Sequence, residues 1–166
     1  MNKRLILSII LVILWMGLIY YMSSMNSDES NSASTSIVVD IIDFFDHITG
    51  ASKDTINYHH SASFIRNVNH IIRKIAHGLI YFGLAILVFN LLIHLLKRKL
   101  IIYDIFTLII CFLYACSDEY HQTFVIGRGG MISDVLIDTL GATIGCLFIN
   151  IVYKIVKNSK KIKKNH

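Results

Sequence analysis

Residues 75–96 read IAHGLIYFGLAILVFNLLIHLL, a run with no Asp, Glu, Lys or Arg. A spanning helix needs roughly 20 mostly apolar residues, because each adds about 1.5 Å of rise and the hydrocarbon core of a bilayer is about 30 Å thick. This run meets that length. Three further stretches, 5–22 before it and 100–115 and 131–156 after it, come close enough to do the same. The whole chain agrees: its 166 residues are 54% hydrophobic, with a mean hydropathy of +0.58 and no proline, too apolar for a water-soluble domain of this length. The expected fold is all-α, a polytopic membrane helix bundle with four transmembrane helices forming one domain over residues 1–166, with no internal repeat and no second soluble domain.

The 100–115 stretch is short and carries Asp104 near its start, so a tilted or partly buried span suits it better than a lipid-exposed one. The 5–22 stretch follows Lys3 and Arg4 and admits a second reading as a secretory signal. Its apolar run is long for a signal, however, and Tyr21-Met22-Ser23-Ser24-Met25 offers no small-x-small cleavage site, which favours an uncleaved anchor. Cys111, Cys116 and Cys146 all fall within expected spans and read as small core residues, not as a disulfide framework or a metal site.

Charge sets the orientation, because cytoplasmic loops collect Lys and Arg near the ends of spans. Four spans with a cytoplasmic N-terminus put Lys3, Arg4, Lys97, Arg98, Lys99, Lys154, Lys157, Lys160, Lys161, Lys163 and Lys164 on one side, eleven of the sixteen basic residues. Of the eleven acidic residues only Asp104 joins them. The reading is a multi-pass membrane protein with both termini in the cytoplasm. The basic tail is then an orientation signal with attraction for anionic membrane lipids, and no nucleic-acid partner is implied. Between the first two spans lies an outer loop of about residues 23–70. Its Ser- and Asn-rich part, 23–36, reads as flexible. Residues 37–46 repeat apolar positions at helical spacing with Asp40, Asp43 and Asp46 on the opposite stripe, which predicts an outer amphipathic helix on the membrane surface or packed on the bundle.

Charged groups at the ends of spans are costly and need a partner or an aqueous cavity. Arg73, His77 and Tyr81 lie four apart on one face at the entrance to the second span, with Lys74 at its flank. These positives can snorkel to headgroups, yet they sit on the side the charge rule disfavours, which points to something negative nearby. The third span, if its helix continues, places Asp118, His121 and Gln122 together with Glu119 beside them. A glycine-rich turn then projects Arg128, either to clamp a carboxylate or phosphate or to lock the loop to Asp118 or Asp134. In the fourth span Ser133 is a possible N-cap, and Asp134, Asp138, Gly141 and Gly145 share a stripe. The two glycines form a GxxxG spacing that permits close helix approach, including that of a second copy in a homo-oligomer. Asp138 lies deep enough to need a cationic partner among Arg73, Lys74, His77 and Arg128. The economical summary is a polar pocket opening outward, built from Arg73, Lys74, His77, Tyr81, Asp118, Glu119, His121, Gln122, Arg128, Asp134 and Asp138.

Taken together, Tyr21-Met22-Ser23-Ser24, Arg73-Lys74-x-x-His77-x-x-x-Tyr81, Asp118-Glu119-x-His121-Gln122-x-x-x-x-x-Arg128, and Asp134, Asp138 and Gly141-x-x-x-Gly145 resemble the VanZ-like family of bacterial membrane proteins, over most of the chain outside residues 25–70. The resemblance implies a four-span protein similar to one that lowers susceptibility to the glycopeptide antibiotic teicoplanin. The outer loop here is longer than in compact members.

Three functions compete. A non-catalytic envelope protein would bind or shield an anionic lipid, a lipid-linked cell-wall precursor or a glycopeptide, with Arg73, Lys74 and Arg128 as anion clamps. A membrane enzyme acting on a lipid-linked phosphate or ester would use Asp118, Glu119 and His121 as acid, base or ligands for a hard metal, with Arg128 stabilising charge on phosphate. Ion-pair networks look the same in sequence, and no HExxH, CxxC, nucleotide loop or nucleophile elbow is present, so no resident metal or cofactor is expected. A transporter would use Asp134 and Asp138 as ion sites, but four spans are few for one without oligomerisation. The orientation is directly checkable: a fluorescent reporter fused after His166 should mature in a bacterial cytoplasm, and an export-dependent phosphatase inserted at Gly50 should be active. The reverse pattern would place the pocket on the inner side.

Overall fold

The computed structural model describes residues 3–96 and 99–164, and within them the side chains other than those at 27–30, 33, 157, 158 and 160–164. Lys97 and Arg98, and the side chains of Lys157, Lys160, Lys161, Lys163 and Lys164, which the charge argument assigned to the cytoplasmic side, lie outside these. Among the described residues there are helices and no strands: α1 Lys3–Ser24, α2 Ser27–Thr49, α3 Lys53–His59, α4 Ala62–Leu95, α5 Leu100–Gln122 and α6 Ile132–Lys164. Four of them, α1, α4, α5 and α6, are long and apolar enough to cross a membrane.

The span boundaries move outward from the apolar runs. The α4 helix begins at Ala62, not near Ile75, and its 34 residues extend roughly 50 Å at about 1.5 Å per residue, well beyond a hydrocarbon core of about 30 Å. The α5 helix continues past 115 to Gln122, so the polar run that ends it is helical and shares its packing. Asp104 at the other end of α5 is half-buried and accepts a 2.8 Å hydrogen bond from Asn150 Nδ2 of α6, which satisfies the polar group that made this span look weak.

The extra length of α4 has a partner. The Ser- and Asn-rich stretch expected to be flexible is helical from Ser27 and runs on into the expected amphipathic helix as one element, α2, packed antiparallel along the first third of α4. Ser and Asn favour caps and turns over helix interiors because their side chains compete for backbone groups, so the local signal was against a helix. Tertiary bonds overrule it: Arg73 Nη1 donates to Asn31 Oδ1 at 2.6 Å and Asn69 Nδ2 donates to Thr35 Oγ1 at 3.2 Å. Val38 and Ile42 are buried. The expected acidic stripe is also only partly solvated. Asp46 is buried and pairs with His59 Nδ1 at 2.7 Å, while Asp43 meets His60 Nε2 at 2.9 Å. These pairs tie α2 to α3 and its C-terminal cap, after Gly50 in the left-handed region (φ 63°) ends α2.

The bundle is organised around α4, which touches each of the other five helices. Tyr81, Leu84, Ala85, Val88 and Phe89 of α4 are almost wholly buried, as are Cys111 and Ala115 of α5 and Ala142 of α6. The opposite faces stay apolar at spacings of four, as in Ile71, Ile75 and Leu79 or Leu136, Leu140 and Ile144, the pattern of a surface facing lipid. The α1 helix joins through Trp15, whose Nε1 donates to Ile80 O at 2.9 Å, and through Ser8, whose Oγ accepts from Asn90 Nδ2 at 3.2 Å.

The closest helix pair is α4 and α6. Both glycines of the expected GxxxG pattern lie buried against α4: a Cβ at Gly141 would collide with the backbone of Gly78, and one at Gly145 would come within 2.7 Å of Phe82 O. Both positions are occupied by α4 of the same chain. Because the obstacle at Gly141 is backbone, no rotamer change relieves it. Gly141→Val should therefore cost at or above about 3 kcal/mol, the upper end for overpacking, read as loss of monodisperse protein and a lower Tm in detergent. Gly129→Ala, with nothing within 4 Å of the added carbon, should behave as wild type.

Candidate functional site

A cavity of about 290 Å³ opens between α1, α2, α4, α5 and the loop before α6. Ile19 and Met22 of α1, Ile37 of α2 and Ile72 and Ile80 of α4 make it largely apolar. Its polar groups are Ser23, Ser34, Arg73, His77, Tyr81, Asp118 and Arg128. The helical face expected from Arg73, His77 and Tyr81 is thus the face that α4 turns to this cavity. Tyr81 is 1% exposed and its hydroxyl has no hydrogen-bond partner among the described residues.

Arg128 reaches the site because the loop after α5 turns tightly. Gly127 adopts φ 75°, a region favouring glycine, and the N–H of Arg128 bonds Val125 O at 3.1 Å. Gly130 lies so close to α5 that a Cβ would come within 2.6 Å of Glu119 O. The guanidinium donates through Nη2 to Met22 O at 3.2 Å, at the end of α1. Neither of the sequence alternatives, a lock onto Asp118 or one onto Asp134, is made: no described carboxylate lies within ion-pair distance of Arg73 or Arg128. Burial pulls the Arg128 side chain below its ordinary pKa and nearby Arg73 adds to this, against the opposing pull of Asp118 and Glu119. An arginine so placed remains cationic.

Behind the cavity two helices bring their acids together. Asp118 and Glu119 of α5 and Asp138 of α6 are each 5% exposed or less. Gln122 holds the first two through one nitrogen, Nε2, which lies 3.3 Å from Asp118 Oδ2 and 3.1 Å from Glu119 Oε1. Glu119 Oε2 accepts the backbone N–H of Met131 at 2.8 Å, pinning the α5–α6 loop. Of the four cationic partners open to Asp138 in the sequence, His77 is the neighbour, with Nδ1 3.6 Å from Oδ1.

Other expected pocket residues point elsewhere. Lys74, one position from Arg73 and so about 100° around the helix, lines a separate apolar groove with Gly78, Ile137 and Gly141 between α4 and α6. His121 faces α1: it stacks on Tyr20 with ring centroids 4.6 Å apart, and its Nε2 lies 3.1 Å from Ser24 Oγ. Asp134 is half-buried and accepts from Ser133 Oγ at 3.1 Å. Ser133 is inside α6, which begins at Ile132, and is not its cap. Two participants were not singled out as site residues. Ser23, buried in the cavity wall, belongs to a motif that was noticed, but its depth was invisible. Asn31, the partner of Arg73, sat in a stretch read as flexible.

Gln122 Nε2 is a donor shared by two buried carboxylates, so its loss takes a hydrogen bond from each. Gln122→Ala should destabilise the protein by roughly 1–3 kcal/mol, the cost of leaving buried polar groups unsatisfied. Gln122→Glu should lower the Tm further by adding a third carboxylate. Thermal unfolding of the purified variants in detergent checks both.

No curated protein and no solved structure matches the chain. A family model does, that of VanZ/LLP1, over residues 8–153, which takes in all of α4 and α5, most of α1 and α6, and every residue of the cavity. The resemblance carried by the helix-end motifs is thereby shown over most of the sequence, and the chain belongs to the VanZ/LLP1 family.

Proposed function

We propose that this protein sits in a bacterial cytoplasmic membrane with both termini inside, binds the anionic headgroup of an envelope lipid or lipid-linked cell-wall precursor in its outward-facing cavity, and so lowers susceptibility to teicoplanin-type glycopeptides. The observation that carries the reading is the pair Arg73 and Arg128, both lining one apolar-walled cavity with no described carboxylate in ion-pair contact with either. Two guanidiniums with no described carboxylate in ion-pair contact, in a largely apolar site, are suited to a phosphate or carboxylate, which each can engage with two parallel N–H groups. The walls of Ile19, Met22, Ile37 and Ile72 suit the first carbons of an acyl or prenyl chain. Lys74, turned to the α4–α6 groove, is not part of this clamp.

A second reading, an enzyme acting on a lipid-linked phosphate or ester, is favoured by one observation: His77, Asp118, Glu119 and Asp138 gather beside the same cavity. Acid–base groups next to an anion clamp are the ingredients of such a reaction. In that case His121, stacked on Tyr20, positions α1 instead of moving protons.

Expression of wild type, Arg128→Ala, or Asp118→Asn with Glu119→Gln in a sensitive Gram-positive host, at matched membrane levels, tests the proposal. Wild type should raise the inhibitory concentration of teicoplanin, and Arg128→Ala should abolish the effect. Full protection by a normally expressed Arg128→Ala would falsify the anion-clamp reading. Turnover of a lipid-linked phosphate by purified wild type, lost in the double carboxylate variant, would establish the enzyme in its place.

A further inference from the structure

His77 of α4, Glu119 of α5 and Asp138 of α6 each present one ligand atom, and these atoms lie within 4.8 Å of one another. They come from three helices, Asp138 being 0% exposed and Glu119 5%, with His77 partly exposed to the cavity. Neither oxygen of Asp138 has a hydrogen-bond partner among the described residues, and the 3.6 Å approach of His77 Nδ1 is too long to be one. A buried carboxylate with two bare oxygens is costly unless positive charge meets it directly.

The surroundings suit a metal ligand set. Zinc and similar ions bind imidazole nitrogen and carboxylate oxygen at about 2.0–2.2 Å, which places neighbouring ligand atoms roughly 3–3.5 Å apart. The His77–Asp138 separation is already close to that. Glu119 is held by donors at both oxygens, Gln122 Nε2 on Oε1 and the Met131 N–H on Oε2, and each carbonyl-type oxygen keeps a second lone pair for an ion. Such outer hydrogen bonds are what orient ligating carboxylates. One divalent cation also balances the charges of Glu119 and Asp138 together.

We propose that His77, Glu119 and Asp138 bind a divalent first-row cation of the zinc or manganese class. This revises the sequence-based expectation of no metal, and it replaces His121 with His77 as the histidine of the site. Three protein ligands leave at least one coordination position. Since His77 also lines the cavity, the ion lies at its edge, where an oxygen of a phosphate or a water can complete its shell. The assignment stands on the geometry of these three side chains and not on the glycopeptide reading.

The test uses full-length protein purified in detergent without a polyhistidine tag, stripped with a chelator, dialysed against Zn²⁺ or Mn²⁺, and analysed for bound metal by mass spectrometry. Wild type should retain about one equivalent, with uptake reduced at least about tenfold in Asp138→Asn and in Glu119→Gln, since each loses a direct ligand. Asp104→Asn, at the opposite end of α5 and paired with Asn150, should retain the full equivalent. Two ligand variants keep the result readable if one of them fails to fold, as judged by elution volume and helical circular dichroism. Substitution with Co²⁺ gives a second readout: visible d–d absorption in wild type that disappears in the ligand variants. Wild type that retains neither Zn²⁺ nor Mn²⁺, or folded ligand variants that take up as much as wild type, would overturn the assignment.

Discussion

The backbone contact between α4 and α6 governs the rest of the molecule. Gly141 meets Gly78 and Gly145 meets Phe82 with no room for a side chain between them, so the two helices run closer than any larger residue would permit. His77 precedes Gly78 and Asp138 lies three positions before Gly141. Close approach at the glycines therefore brings imidazole and carboxylate to within 3.6 Å one turn higher. Within lipid there is no hydrophobic gain from pressing two apolar helices together, and van der Waals contact over small residues is the main attraction left.

The α1 helix and the loop before α6 close the site from the other side. Trp15 lies over Gly83, where a Cβ would come within 2.5 Å of the indole, and Tyr114 donates its hydroxyl to Met16 O at 2.6 Å. These contacts fix the height of α1, so that Ile19, Met22 and Ser23 stand beside Arg73 and Asp118. Arg128 then caps the arrangement by bonding Met22 O. The cavity is thus a product of helix register.

The bilayer explains why the bundle was legible in the sequence. A span must be long, apolar and nearly uncharged, and 75–96 announces itself with no structural context. The gathering of Arg73, His77, Asp118, Glu119, Arg128 and Asp138 at one end of the bundle was legible for the complementary reason, since each is costly where it stands. What the sequence does not carry is azimuth and tertiary compensation. Lys74 and Arg73 are neighbours in the chain yet face different grooves. His121 was the histidine expected to carry acid, base or metal chemistry, yet it packs on Tyr20 and Ser24, while His77 faces Asp138. Residues 27–36 lack the propensity for a helix, and the bonds that hold them as one come from Asn69 and Arg73, more than thirty positions away.

The indole of Trp15 adds a matter of timing. Its acceptor, the carbonyl of Ile80, lies 65 residues downstream. Ribosomes deliver chains from the N-terminus, so α1 enters the bilayer while that acceptor has yet to be made. The Met16 carbonyl waits still longer for Tyr114, 98 residues on. Lateral docking of α1 must therefore follow synthesis of the later spans. Its lipid-facing Leu7, Ile10 and Leu14 make it stable alone in the meantime. Birth order and packing order in this protein are therefore separate matters: α1 is made before the groups on α4 and α5 that hold it in place.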